Sequence, residues 1–235
     1  MAYTFGDVRE VYKRNVRFFQ GAGLGHPKNS INIIPEHSDR IVDITPERVS
    51  SWDEKKIGYA LHADAIFTTI RHQTLTVKPA DCTTVFVYVE LTDFKTLIGI
   101  IHSGWRGVDA DLPTIAIEYI KKKYQLDPTQ IHLAMLPHIS KDHRTYENID
   151  AFINLEKYAS FMEKKGELYH FDEAGCALSQ YQSAGVPGEN IVVCDVDTYT
   201  EAQLGRTFSQ KLNVDEKRLG KPTVEGRFLA AIAIR

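Results

Sequence analysis

Residues 30–136 hold a succession of short β-type runs, at 31–34, 41–44, 65–70, 83–91, 97–101 and 131–136, with a single helical pattern among them. Short runs rich in Val, Ile, Thr and Phe read as strands. They do not alternate regularly with helices, so a doubly wound parallel sheet is excluded, and no Gly-rich dinucleotide loop or P-loop is present. The helical pattern within 111–124 carries Leu112, Ile115, Ala116, Tyr119 and Ile120 at helical spacing, and Lys121, Lys122 and Lys123 favour its C-terminal end. A second helix is expected within 150–165, where Ala151, Phe152, Leu155, Tyr158, Ala159 and Met162 form a stripe and Gly166 is placed to stop it. A third runs over about 172–184, with Asp172 as N-cap and Gly185 and Pro187 as its stop. Two further β runs, 191–194 and 228–234, close the chain, and the charged stretch 211–221 reads as an exposed loop. The predicted class is therefore α+β: mixed β-sheets covered by helices in a layered sandwich, as a single domain over residues 1–235.

With 43% hydrophobic residues the chain can bury a substantial core, which excludes disorder as its main state. A formal net charge of -3 supplies no global basic field for a nucleic-acid backbone, so a small-molecule partner is expected. Residues 1–11 lack the basic start and apolar run of a secretory signal. No apolar run reaches the roughly 18 residues of a spanning helix. Cys82, Cys176 and Cys194 are too few and too scattered for a disulfide framework. A cytoplasmic protein without membrane or nucleic-acid partners is expected.

The segment richest in chemistry opens with Ala80-Asp81-Cys82 and ends with His102-Ser103-Gly104-Trp105-Arg106-Gly107. Between them lies a predicted β-hairpin, with strands 83–90 and 96–101 about a polar turn at Thr92 and Asp93. A symmetric register centred on Thr92 sets Cys82 opposite His102, with Cβ atoms about 4.5–5.5 Å apart and able to share a ligand. A lone Cys beside a strand is ordinarily a small buried hydrophobe. Here Asp81 adds a carboxylate next to the thiol, the two glycines permit close backbone approach, and Trp105 and Arg106 offer stacking and anion pairing. That combination marks Cys82, His102 and Asp81 as catalytic candidates.

ADC followed by HSGWRG resembles the laccase-domain, or polyphenol-oxidase-like, family, whose members include zinc-binding bacterial purine nucleoside phosphorylases. Pro35-Glu36-His37-Ser38-Asp39-Arg40-Ile41 resembles the family's QVHGDRV segment, and Asp64-Ala65-Ile66-Phe67-Thr68 its DALVT strand. Tyr169-His170-Phe171-Asp172, Phe208-Ser209 and Gly226-Arg227 resemble later landmarks, so most of the chain is covered. The resemblance implies a YfiH-like fold and a zinc site on His37, Cys82 and His102. Three protein ligands would leave a fourth position open, as in catalytic zinc sites. Departures also occur: Pro35, Glu36 and Ser38 flank the first histidine, Thr84 replaces a common Pro, residues 136–140 read LPHIS where GPCIG is usual, and Cys194 is followed by Asp195.

The function implied is zinc-dependent phosphorolysis of adenosine- or inosine-type nucleosides, with related adenosine deaminase activity, the metal polarising substrate or activating water. Phosphate requires a nearby cation; Arg106, beside His102, and Arg40, beside His37, are the candidates, and Trp105 is placed to stack on a purine or to pack in the core. The alternatives are a copper-dependent polyphenol oxidoreductase, because a His, His, Cys set also suits copper, a metal-free hydrolase with Cys82 as nucleophile and His102 as base, and a metal-retaining binding protein without turnover. The nine histidines include no His-x-His pair of the kind associated with a trinuclear copper cluster.

Overall fold

The computed structural model describes residues 7–50, 59–92, 94–152 and 155–234. Asp93 of the hairpin turn, residues 1–6 of the N-terminal segment and residues 153–154 of the expected second helix lie outside them. Helix α1 (Val8–Gly21) precedes β1 (Ser30–Ile34), β2 (Ile41–Ile44), α2 (Pro46–Ser50), β3 (Tyr59–His62), β4 (Ala65–Thr68), β5 (Thr74–Val77), β6 (Thr83–Glu90) and β7 (Thr96–Ser103). Next come α3 (Trp105–Asp109), α4 (Leu112–Tyr124), β8 (Ile131–Met135), β9 (Thr145–Tyr146), α5 (Leu155–Tyr158), β10 (Met162–Lys165) and β11 (Leu168–Phe171). The chain ends through α6 (Glu173–Ser183), β12 (Ile191–Val193), α7 (Thr198–Gln203), α8 (Gln210–Arg218) and β13 (Ala230–Ala233).

A six-stranded mixed sheet, in the order β12-β8-β6-β7-β4-β2, is the centre of the fold. Its four inner strands pair antiparallel, while the edge strands β12 and β2 lie parallel to their neighbours. A four-stranded sheet, β13-β5-β1-β3, and a three-stranded one, β10-β11-β9, complete the architecture. Side chains alternate across a strand, and here both faces are apolar. Val85, Val87, Val89, Leu97 and Ile101 pack with Ile117 and Ile120 of α4 and Tyr181 of α6. Ile66, Ile98 and Ile100 pack with Ile31, Ile33, Leu75 and Val77 of the four-stranded sheet. All are essentially inaccessible to solvent, and each such aliphatic side chain contributes about 1.5–3 kcal/mol by leaving water. The layers are thus helices, sheet and sheet, the α+β sandwich expected.

Several elements differ from the sequence expectation. The stripe over 150–165 does not make one helix: after the single turn of α5 and a 3-10 turn at Ala159–Phe161 the chain becomes β10, which pairs with β11 in register Lys165 to Leu168. Gly166, at φ +62, serves the tight turn between them rather than a helix stop. The charged stretch 211–221 is largely helical, because Ser209 Oγ accepts from the Leu212 N–H and Leu212 and Asn213 are buried on one side. Helix α1 is capped by the Asp7 carboxylate, which accepts from the N–H groups of Arg9 and Glu10. The β6–β7 pairing is displaced too: Thr84, not Cys82, opposes His102, because the connection is centred one residue later than Thr92. A displacement of two residues preserves the face, so Cys82 remains diagonal to His102 on the same side of the sheet.

Gly99 of β7 lies beneath the buried ring of Phe67; a Cβ there would stand 2.3 Å from Phe67 Cδ1 and 3.0 Å from the Ile66 carbonyl oxygen. Overpacking at such a position costs about 1–3 kcal/mol. Gly99→Ala is therefore expected to lower the unfolding free energy obtained from urea titration by that much, and an unchanged unfolding free energy would contradict the packing described.

Candidate metal centre

Three donors meet where the two large sheets adjoin. His102 comes from the end of β7 and is 4% exposed; Cys82 immediately precedes β6 and is half-buried; His37 is exposed on the loop after β1. One ligand atom from each lies within 4.8 Å of the others, and among the described residues these form the group of His, Cys, Asp and Glu side chains able to share an ion. Cys82 Sγ is 3.9 Å from His37 Nε2, and the two imidazoles meet edge to face with centroids 5.3 Å apart. Gly104, the N-cap of α3, passes close behind. A Cβ at Gly104 would stand 2.9 Å from Cys82 Sγ and 3.0 Å from His37 Cδ2, which is why the residue between Ser103 and Trp105 lacks a side chain. A Cβ at Gly107 would meet only ordinary van der Waals contacts.

Asp64, fully buried just ahead of β4, organises the set. Its carboxylate accepts from the backbone N–H groups of Glu36, His37 (3.0 Å) and Ser38 (2.8 Å) and from Ser38 Oγ (2.8 Å). His37 is thereby held at φ +57, in the left-handed region. Oδ1 of Asp64 also faces His102 Nδ1 at 3.4 Å, and the Asp64 carbonyl accepts from the His102 N–H at 2.7 Å. The His102 ring is fixed with Nδ1 toward Asp64 and its other nitrogen left for the cluster, the carboxylate–histidine arrangement common behind metal ligands. Burial alone would raise the Asp64 carboxyl, but hydrogen bonds from His102 and Ser38 hold it below its ordinary range. Burial likewise opposes ionisation of Cys82, yet hydrogen bonds from His102 and His37 and the charges of His102 and Arg144 bring its thiol well below its usual value. His102 is pushed up to about 9: burial works against this, while Asp64 and Cys82 hydrogen-bond it and hold its charge. The thiolate is the form of Cys that ligates a metal or attacks as a nucleophile.

The donors line a cavity of about 390 Å³. Arg106, Trp105 and Asp81 line it as well. The guanidinium of Arg106 stacks 4.2 Å over the Trp105 ring, whose body packs on Phe152 at 4.7 Å, so Trp105 is at once a core residue and part of the wall. Both Asp81 oxygens are engaged, accepting from Thr198 Oγ1 (2.8 Å) and the Lys211 N–H (2.7 Å), which ties α7 and α8 to the cavity floor. Arg40 is not in the lining; it is exposed and pairs with Glu36 at 3.7 Å. Residues unread in the sequence complete the wall: Lys78, whose ammonium is pushed down by burial, Arg144, Gln210 and Arg227. No local pattern marks them, apart from the place of Arg227 in the Gly226-Arg227 landmark.

Asp64→Asn keeps the shape but replaces one acceptor oxygen with a donor facing N–H groups. Changing the group behind a metal ligand costs roughly ten- to a hundredfold in metal affinity, and a loss in that range is expected in a chelator competition with zinc. Unaltered affinity would remove Asp64 from the role described.

Known proteins resemble this chain in sequence and in fold. The chain is 26% identical over 179 residues to a Staphylococcus epidermidis protein named purine nucleoside phosphorylase, matching 74% of this chain and 65% of that one. It is 28% identical over 191 residues to a Staphylococcus aureus protein of the same name, matching 79% and 68%. The chain thus spans less than two thirds of the length of the S. epidermidis relative. Its fold superposes with TM-score 0.78 on the Bacillus licheniformis hypothetical protein YfiH, at 17% identity over 100% of this chain and 85% of that one. YlmD from Geobacillus stearothermophilus superposes with the same score at 20% identity, over 100% and 84%. The model of the family described as multi-copper polyphenol oxidoreductase laccase matches residues 1–235, and the chain belongs to that family.

Proposed function

We propose that this protein is a zinc-dependent purine nucleoside phosphorylase acting on adenosine- and inosine-type nucleosides, with adenosine deamination as a side activity. The supporting observation is that one cavity joins the His37, Cys82, His102 donor set to a wall bearing Lys78, Arg106, Arg144 and Arg227. Two imidazoles and a thiolate fit zinc and leave a fourth position for substrate. Zinc bound there supplies Lewis-acid polarisation of a substrate oxygen. In phosphorolysis an oxygen of orthophosphate bonds to the sugar C1′ as the bond to the purine nitrogen breaks, and the base leaves with a proton. The cationic wall would hold the phosphate beside the sugar, and the exposed part of Trp105 offers an aromatic surface for the base. Asp81 acts here by fixing α7 and α8 to the floor. The names of the staphylococcal relatives agree with this reading. The activity is assigned to a single domain over residues 1–235. A cytoplasmic location is part of the proposal, since Cys82, Cys176 and Cys194 are all free thiols; no helix among the described residues is long and apolar enough to cross a membrane.

The family's description favours a second reading, copper-dependent phenol oxidation. Among the described residues the donors for it are the same three, so the form to test is a single copper on His37, Cys82 and His102. An intense thiolate-to-copper absorption band together with phenol turnover would replace the phosphorylase proposal. The low-lying Cys82 thiol also suits a metal-free Cys–His hydrolase; chelation would leave that activity intact.

Protein of known metal content, incubated with adenosine or inosine, is expected to release free base and pentose phosphate only when phosphate is present. Absence of free base under all conditions would sink the proposal. Cys82→Ala and His102→Ala should each lose bound zinc and more than roughly a hundredfold in turnover, beyond the cost of altering a group behind a ligand. Either variant keeping both would refute the donor set.

A further inference from the structure

We infer that Arg144, held in place by the buried carboxylate of Glu173, is the main contact for the phosphate of the reaction, with Arg106, which lines the same cavity, as its partner. The assignment rests on the phosphorylase reading for the identity of the anion. The site itself rests on the ion pair and the cavity.

Arg144 lines the metal cavity although its side chain is only 13% exposed, and it forms an ion pair with Glu173, which is 1% exposed. A buried pair of this kind carries a desolvation cost that mutual attraction repays only with good geometry. The pairing here is one-sided. It runs through Nη2, while Nε is buried without a hydrogen-bond partner, so Arg144 does not form the two-toothed fork typical of an Arg–carboxylate pair. Glu173 uses its other oxygen to accept from the Thr83 N–H at 3.2 Å and Thr83 Oγ1 at 3.3 Å. Thr83 directly follows the metal donor Cys82. The carboxylate is therefore a rigid link from the start of β6 to the guanidinium, and it fixes the distance between Arg144 and the donor set.

The surroundings favour an anion. The lining contains four cationic side chains, Lys78, Arg106, Arg144 and Arg227, and one carboxylate, Asp81, whose oxygens already accept from Thr198 and Lys211. Arg106 meets no carboxylate among the described residues and is braced by stacking on Trp105. Two guanidinium groups, one anchored by an ion pair and one by an aromatic face, can offer planar donor edges to the oxygens of a tetrahedral dianion. Glu173 would be a positioning residue, touching Arg144 and not the ligand.

The test is calorimetric titration of the zinc-loaded full chain with inorganic phosphate and, separately, with inosine. Arg144→Met alone would strand the buried Glu173, so the decisive variant is Arg144→Met with Glu173→Gln, which keeps an acceptor for Thr83. With zinc saturating, it should retain inosine affinity while losing roughly ten- to a hundredfold in phosphate affinity, the value of a hydrogen bond to a charged group. Glu173→Gln alone should weaken phosphate less and leave inosine unchanged. Phosphate affinity within twofold of wild type in the double variant, or no phosphate binding by wild type, would overturn the assignment to Arg144. Undiminished phosphate affinity in Glu173→Gln would overturn the positioning role. Phosphate binding lost only on substitution, in a wild type that releases no base from any nucleoside, would support the anion site while removing the phosphorylase reading.

Discussion

A single buried carboxylate sets the geometry on which the rest of this site depends. Asp64 is inaccessible to solvent, and an unpaired charge there would cost several kcal/mol. It is met by N–H donors from three consecutive residues of the His37 loop, by Ser38 Oγ and by the His102 ring. These bonds offset the strain of His37 in the left-handed region, a conformation costing roughly 1–3 kcal/mol for a residue with a side chain. Two of the three donors are thus oriented by the same pair of oxygens. The third, Cys82, is brought in by the register of β6 on β7, and Gly104 clears the space between them.

This arrangement explains why the departures around His37 leave the cluster intact. Asp64 reads Glu36, His37 and Ser38 through their backbone N–H groups, so the side chain at position 36 is free to vary. Ser38, standing where Gly is usual, adds a hydroxyl donor to the same carboxylate. Pro35 precedes the segment whose N–H groups are used.

The strands were legible because β-branched residues on a two-sided buried sheet give near-continuous apolar runs, as from Leu97 to Ile101. The stripe over 150–165 misled because Tyr158 and Met162 are buried or half-buried in a single helical turn and in a strand, and spacing alone does not separate these. In α8, dense charge concealed a helix that buries little more than Leu212 and Asn213. Cys82 and His102 were legible as a pair because a two-residue displacement of register keeps side chains on one face. The roles of Asp64 and of the Arg144–Glu173 pair were not legible. They arise from contacts between segments distant in sequence, and no local period or spacing encodes such contacts.

His37, Cys82 and His102, with Asp64 and Gly104, all fall within the first 104 residues, whereas Arg144, Glu173, Gln210 and Arg227 come from the remainder of the chain. The cavity is therefore closed by distant parts of the chain: Lys78 and Arg106 join its cationic wall from beside the donors, Arg144 and Arg227 from the later stretch. A substitution at Arg144, Gln210 or Arg227 changes the cavity wall without touching His37, Cys82 or His102. Folding must therefore bring the later stretch back onto the donor cluster before the cavity is complete.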